Sequence, residues 1–231
     1  MRFGGGVSTE ARNLAFVLTA PAMLSGAPLP QKLLNSRRSH VQVVTEVALI
    51  WDRPLLFEKL FVEYGFACER VSPLQVGSVY SPKFEVAILP VGFGNPAYST
   101  VAKSVKSLGT PLRDFVRKGG ALVVFSPYVD NYDFSWLGLP QRFRLLARDE
   151  LVKIAIKTQH PAAQIVDILE AHTDGYLSGA SENDVVLETE DGAVLTVTAA
   201  EKGRIILSTI HEFPARRFLA WALESARASR T

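Results

Sequence analysis

Residues 85–94 read Glu85-Val86-Ala87-Ile88-Leu89-Pro90-Val91-Gly92-Phe93-Gly94. The unbroken apolar run, closed by a proline and two spaced glycines, predicts a strand buried on both faces that ends in a tight loop. Upstream, Val47-Ala48-Leu49-Ile50-Trp51 has the same form, and downstream so does Ala121-Leu122-Val123-Val124-Phe125. The stretches between them carry helical spacing. Asp52 is placed to cap a helix with Pro54 in its first turn, Leu55, Leu56, Leu60 and Val62 along its apolar stripe, and Gly65 at its end. Residues 67–71 return as a second, shorter strand. After the 85–90 strand, one helix is expected within 100–108 and a separate one from Pro111 to Lys118, stopped by Gly119-Gly120. Strands and helices in this alternation predict a parallel sheet flanked by helices.

Beyond Asp130 the alternation weakens, and residues 131–150 are aromatic and arginine-rich without clear period. Residues 160–171 are expected as a short helix. Residues 184–189 and 193–198 alternate apolar with polar side chains around Glu190-Asp191-Gly192, which predicts an antiparallel hairpin. Arg204-Ile205-Ile206-Leu207-Ser208-Thr209-Ile210 is a further strand with His211 at its end, and 218–228 is a closing helix.

Composition narrows the function classes. Of 231 residues, 48% are hydrophobic and 21% charged, enough apolar side chain for a genuine core. Lys and Arg number 25 against 23 Asp and Glu, a net charge of +2, which argues against a nucleic-acid partner. A single cysteine, Cys68, builds neither a disulfide nor a Cys-rich metal cage, so a cytoplasmic, reducing compartment is expected. Residues 13–30 are apolar but broken by Pro21, Gly26, Pro28 and Pro30, which argues against a membrane anchor. Residues 1–40 are expected as an N-terminal extension, poorly ordered or processed, and 41–231 as the domain. The alternative is an exported chain whose residues 1–30 are a signal peptide.

Three strand exits together resemble the class I glutamine amidotransferase-like superfamily, including its ThuA-like branch. Ala87-Ile88-Leu89-Pro90-Val91-Gly92-Phe93-Gly94 is similar to the Pro-Gly-Gly-Phe-Gly loop with which that family presents a backbone amide to an oxyanion, with Val91 in place of the first glycine. Gly120-Ala121-Leu122-Val123-Val124-Phe125-Ser126 aligns with the strand entering the family's Gly-x-Cys-x-Gly elbow, which puts Ser126 on the cysteine. Gly203-Arg204-Ile205-Ile206-Leu207-Ser208-Thr209-Ile210-His211 resembles the strand that delivers the family's histidine. The resemblance implies a flavodoxin-like three-layer α/β sandwich, with a mostly parallel central sheet plus a small antiparallel hairpin.

The departures from that pattern bear on chemistry. Phe125 and Pro127 replace the small neighbours of the elbow, and Pro127 has no N–H to donate to an oxyanion. Two positions after His211, where the family carries the orienting acid, stands Phe213. Glu212 is adjacent and should point to the opposite face. The expectation is a degraded, non-catalytic domain acting as a small-ligand binding or assembly module. The alternative is a serine-based hydrolase or ThuA-like sugar-processing enzyme that uses Ser126 and His211 as catalytic residues. The ligand-binding candidates are Gly92, Phe93, Gly94, Ser126, Tyr128, Asp130, Asn131, His211 and Glu212. No metal and no cofactor are expected, since His160 and His172 lack metal-ligand spacing. Partners are expected to be a small polar ligand or a protein, with no nucleic acid and no membrane, and homodimer formation through an exposed apolar patch is a further expectation.

Overall fold

Four apolar runs fix the centre of the fold, because each is too uniformly apolar to leave either face in water. The computed structural model describes residues 45–78, 83–146 and 150–230. The expectations for residues 1–40 lie outside the described residues. The elements in order are β1 (Val47–Ile50), α1 (Phe57–Tyr64), β2 (Cys68–Val71), β3 (Val86–Leu89), α2 (Val101–Arg117) and β4 (Ala121–Val124). These are followed by β5 (Tyr132–Asp133), β6 (Arg142–Leu145), β7 (Val152–Lys153), β8 (Ala155–Ile156), β9 (Glu170–Ala171) and β10 (Gly175–Ser178). The chain closes with β11 (Val185–Thr189), β12 (Gly192–Ala200), β13 (Gly203–Ser208) and α3 (Arg216–Ala228).

The parallel part of the sheet runs β2-β1-β3-β4-β13. Numbered by sequence among themselves, these strands have the 2-1-3-4-5 order of doubly wound flavodoxin-like sheets, which reverses direction between β1 and β3. Alternate residues of one strand serve opposite cores. Val47 and Leu49 pack with Phe57 and Phe61 of α1 and Phe218 and Leu223 of α3. Ala48 and Ile50 pack with Leu108, Leu112 and Val116 of α2. Helices therefore cover both faces, giving the expected three layers.

Past β13 the same sheet continues antiparallel through β12, β10, β6 and β5, with β11 and β8 off β12, and β7 pairs β9 in a small second sheet. The expected hairpin is β11–β12, but it is one part of a larger antiparallel extension. The sequence pattern does not announce β6: only Phe143 in it is fully buried, so the run shows no continuous apolar signal.

Three local expectations need correction. Asp52 does not cap α1, whose N-cap is Leu56; its carboxylate instead accepts from the Thr100 N–H (2.8 Å) and the Ser99 hydroxyl (3.2 Å), at the start of α2. The two helices expected around Pro111 are one, with Pro111 inside it. An interior proline costs about 3 kcal/mol, and burying Leu108, Leu112 and Val116 on the sheet, at about 1.5–3 kcal/mol each, outweighs it. The helix expected over 160–171 is a 3₁₀ turn, Pro161–Ile165, followed by β9. His160 caps the turn by accepting from the Ala162 N–H at 3.1 Å.

Gly203 is fixed by close approach. A Cβ there would lie 2.2 Å from the Val116 carbonyl oxygen and 2.3 Å from that of Gly120. The glycine lets β13 enter beneath the end of α2 and so sets where its far end, with His211, emerges.

Candidate functional site

Parallel strands place their loops at one edge of the sheet, and ligands of open α/β sheets bind at that edge where strand order reverses. The exits of β1, β3, β4 and β13 meet there around a cleft of about 640 Å³, whose walls include Leu55, Phe57, Val91, Phe125, His211 and Phe213. A smaller hollow of about 280 Å³ is lined by Val91, Gly92, Tyr98, Tyr128 and His211. His211 borders both. Its side chain is 58% exposed.

The β3 and β4 exits are clasped together. The Gly92 N–H donates to the Ser126 carbonyl at 2.8 Å, and the Phe93 N–H to the Pro90 carbonyl at 3.3 Å. The amides expected to face an oxyanion are thus bonded within the protein. Pro127 has no N–H, and the next amide, that of Tyr128, donates to Ser126 Oγ at 3.1 Å. Ser126 itself is 1% exposed. Tyr128 holds a left-handed φ of 56°, uncommon for a bulky residue and found where the surroundings over-determine the backbone. Its ring meets Tyr98 edge-on at 5.8 Å.

Gly94 is where Pro127 packs, since a Cβ there would come within 2.7 Å of the Pro127 Cβ. Phe93 is wholly buried, with its ring against Tyr132 and Trp136. Asp130 and Asn131 hold the antiparallel extension: Asp130 Oδ1 accepts from the Leu145 N–H at 3.1 Å, and Asn131 Oδ1 from Arg144 at 3.5 Å. Neither is among the residues lining the two hollows.

After β13 the chain stays extended long enough for Ile210 to bridge Thr173 in antiparallel fashion. That bridge lays residues 172–174 beside 209–212, with the Asp174 N–H on the Thr209 carbonyl and the His211 N–H on the His172 carbonyl, each at 2.9 Å. Two histidine–carboxylate pairs result. His211 Nδ1 lies 2.8 Å from Asp174 Oδ1, and His172 Nδ1 lies 2.9 Å from Glu212 Oε1, which also accepts the His172 N–H at 2.6 Å. Glu212 thus turns away from His211, as strand alternation requires. The acid that orients His211 is Asp174, which the sequence presents as an ordinary Asp-Gly turn.

Asp174 is an expensive residue in this position. Its side chain is 5% exposed, and burial pushes its carboxyl above the usual range, while the bond to His211 and the nearby Ser126 hydroxyl oppose the shift and the Glu212 charge adds to it. Oδ2 is buried with no hydrogen-bond partner. Among the described residues, no group of three or more His, Cys, Asp or Glu side chains is placed to hold a metal ion, and no helix is long and apolar enough to cross a membrane.

No protein-family model matches the chain, and no curated protein matches it in sequence. Among solved structures, the beta-galactosidase from Bacillus circulans sp. alkalophilus is similar over 80% of this chain, with a TM-score of 0.51 and 13% identity. The chain spans 31% of that enzyme's length. The beta-galactosidase from Rahnella sp. R3 (TM-score 0.46, 15% identity, 80% of this chain, 31% of that one) and the cytoplasmic protein STM1381 from Salmonella typhimurium LT2 (0.44, 13%, 80% and 97%) are more distant. At this level of identity the likeness is one of fold: part of a much longer glycosidase is built on the same α/β plan.

Proposed function

We propose that this chain is a non-catalytic binding or assembly domain on a degenerate class I glutamine amidotransferase-like scaffold, close in character to the ThuA-like branch. The observation that carries the reading is the Gly92 N–H to Ser126 carbonyl bond of 2.8 Å. It occupies the donor that acyl transfer needs for a developing oxyanion, and Pro127 removes the second. Losing one such donor typically costs about 2.7–4 kcal/mol of transition-state stabilisation. What remains is a mostly apolar cleft with one oriented imidazole at its rim, which suits retention of a ligand better than attack on one. A cytoplasmic location, where the single thiol of Cys68 stays reduced, accords with this role.

The test is turnover of glutamine, ester and glycoside substrates by the wild-type chain and by Ser126→Ala. Equal background rates are expected. Any turnover that depends on Ser126 overturns the reading in favour of a serine hydrolase.

An assembly role has its own support. Leu56 and Phe213, on the rim of the cleft, are 71% and 54% exposed, and Leu151 and Ile168 are exposed beside an adjoining groove that shares Phe213. A second copy of this chain seated on that strip would bury it. Sedimentation should then show a dimer that Phe213→Asp dissociates, and a monomer at all concentrations would remove this second role.

A further inference from the structure

We infer that the cleft selects uncharged molecules that join an apolar body to one hydrogen-bond donor, a phenol or an alcohol, and that His211 is the residue that reads the donor. The inference rests on the binding-domain reading above and gives its ligand a chemical class.

The first step is the tautomer. Asp174 Oδ1, 2.8 Å from His211 Nδ1, accepts that nitrogen's proton, which leaves Nε2 across the ring as a lone-pair acceptor. An acceptor at the junction of two hollows pairs with a ligand O–H or N–H. The second step is the wall. Leu55, Phe57, Val91, Phe125 and Phe213 line the larger cleft, and its volume of about 640 Å³ suits a drug-sized molecule.

Charge is the third step. No lysine or arginine is among the described residues lining either hollow, and Glu212, which borders the cleft, has Oε1 on His172 and Oε2 buried. An incoming carboxylate or phosphate would find no cation to answer its charge. A polyol fares no better, because the groups that would read several hydroxyls are engaged elsewhere: Asp130 and Asn131 on β6, and the Gly92 and Phe93 amides within the clasped loops.

Three probes of one shape test the inference by calorimetric titration at pH 7: 2-naphthol, 2-methoxynaphthalene and 2-naphthoate. A net hydrogen bond to an acceptor as open as His211 is worth roughly two- to tenfold in affinity, so 2-naphthol should bind tighter than its methyl ether by about that factor. The naphthoate should bind more weakly than both. His211→Ala should erase the naphthol preference while the ether keeps its affinity, and Phe213→Ala should weaken all three alike. Tightest binding by the naphthoate, an unchanged ratio in His211→Ala, or no binding of any probe overturns the inference. Equal binding of naphthol and ether by the wild-type chain overturns it too but leaves a binding domain standing. Ser126-dependent turnover, by contrast, removes the binding-domain reading whatever the ratio. The wild-type ratio is decisive by itself should a variant fail to fold.

Discussion

Replacing Asp174 by Asn should stabilise the protein at neutral pH, the opposite of what removing one member of a buried pair usually does. Burial raises the Asp174 carboxyl pKa, and the contacts from His211 and Ser126 oppose that only in part. The folded value therefore lies above the ordinary 3.8, and it is the ionised form that the fold disfavours. Stability from this group is fully present below the unfolded pKa and is lost as pH rises through the folded one. An asparagine side chain keeps the shape. Its Oδ1 would still accept from His211 Nδ1, and its amide group would replace Oδ2, an oxygen with no partner. The amide nitrogen is no better partnered than Oδ2, but it is uncharged, and an ionised group left short of a partner costs roughly 2 kcal/mol more than a neutral one, while exchanging a charge-assisted bond for a neutral one forfeits about 1 kcal/mol. The net is a gain of roughly 1 kcal/mol at pH 7, or about 3 °C in Tm for a chain of this length. Urea unfolding of both proteins at steps from pH 4 to pH 8 reads it, and the advantage of Asp174→Asn over the wild type should grow with pH. A variant less stable than the wild type at pH 7, or an advantage that shrinks as pH rises, refutes the reasoning, because either would make the buried charge a net stabiliser.

Other expectations rest on single contacts. Gly203→Ala would set a methyl 2.2 Å from the Val116 carbonyl oxygen, and such overpacking should cost about 1–3 kcal/mol, seen as a lower urea midpoint at unchanged slope. Asp52→Ala removes the acceptor for the Thr100 N–H and Ser99 hydroxyl and should cost about 1 kcal/mol. Burial pushes the Asp52 carboxyl up, but those bonds together outweigh it and hold its pKa below the ordinary value. Its contribution is thus present above the unfolded pKa and lost as pH falls through the folded one, and a difference between wild type and variant that grows as pH falls below 3.8 would contradict this. Burial, aided by Glu58 and Glu69, pushes the Cys68 thiol up to about 12. At pH 8 only about one thiol in ten thousand is then ionised, so iodoacetamide should label the native chain far more slowly than the urea-unfolded one, as followed by mass spectrometry.

How far the sequence spoke depended on how local the cause was. β1, β3, β4 and β13 were legible because double burial writes itself as a continuous apolar run, and Gly65 was legible because its left-handed φ of 78° suits glycine. The continuity of α2 was not, since the forces that carry it across Pro111 come from the sheet beneath Leu108, Leu112 and Val116. His211 was placed at a strand end by its own neighbours, and the turning away of Glu212 followed from strand alternation alone. Asp174 stayed hidden because its meeting with His211 depends on the bridge between Thr173 and Ile210, a contact across 37 residues that no spacing rule encodes. The readings of Asp130 and Asn131 as ligand contacts met the same limit: β6, which engages both, has only Phe143 fully buried and little apolar signal of its own.

The clasp between Gly92 and Ser126 also bears on what this scaffold can become. The carbonyl that holds Gly92 belongs to the peptide joining Ser126 to Pro127, and turning that peptide over requires rotation about the proline φ, which the ring forbids. A change in the Gly92 loop alone would meet an immobile carbonyl, whereas Pro127→Gly would supply an N–H at that position and free the hinge, and a turn of the peptide would then let go of the Gly92 N–H as well. Laboratory selection for amidase or esterase activity on this framework should therefore reach position 127 before any other, and active sequences that keep Pro127 would place the lock elsewhere.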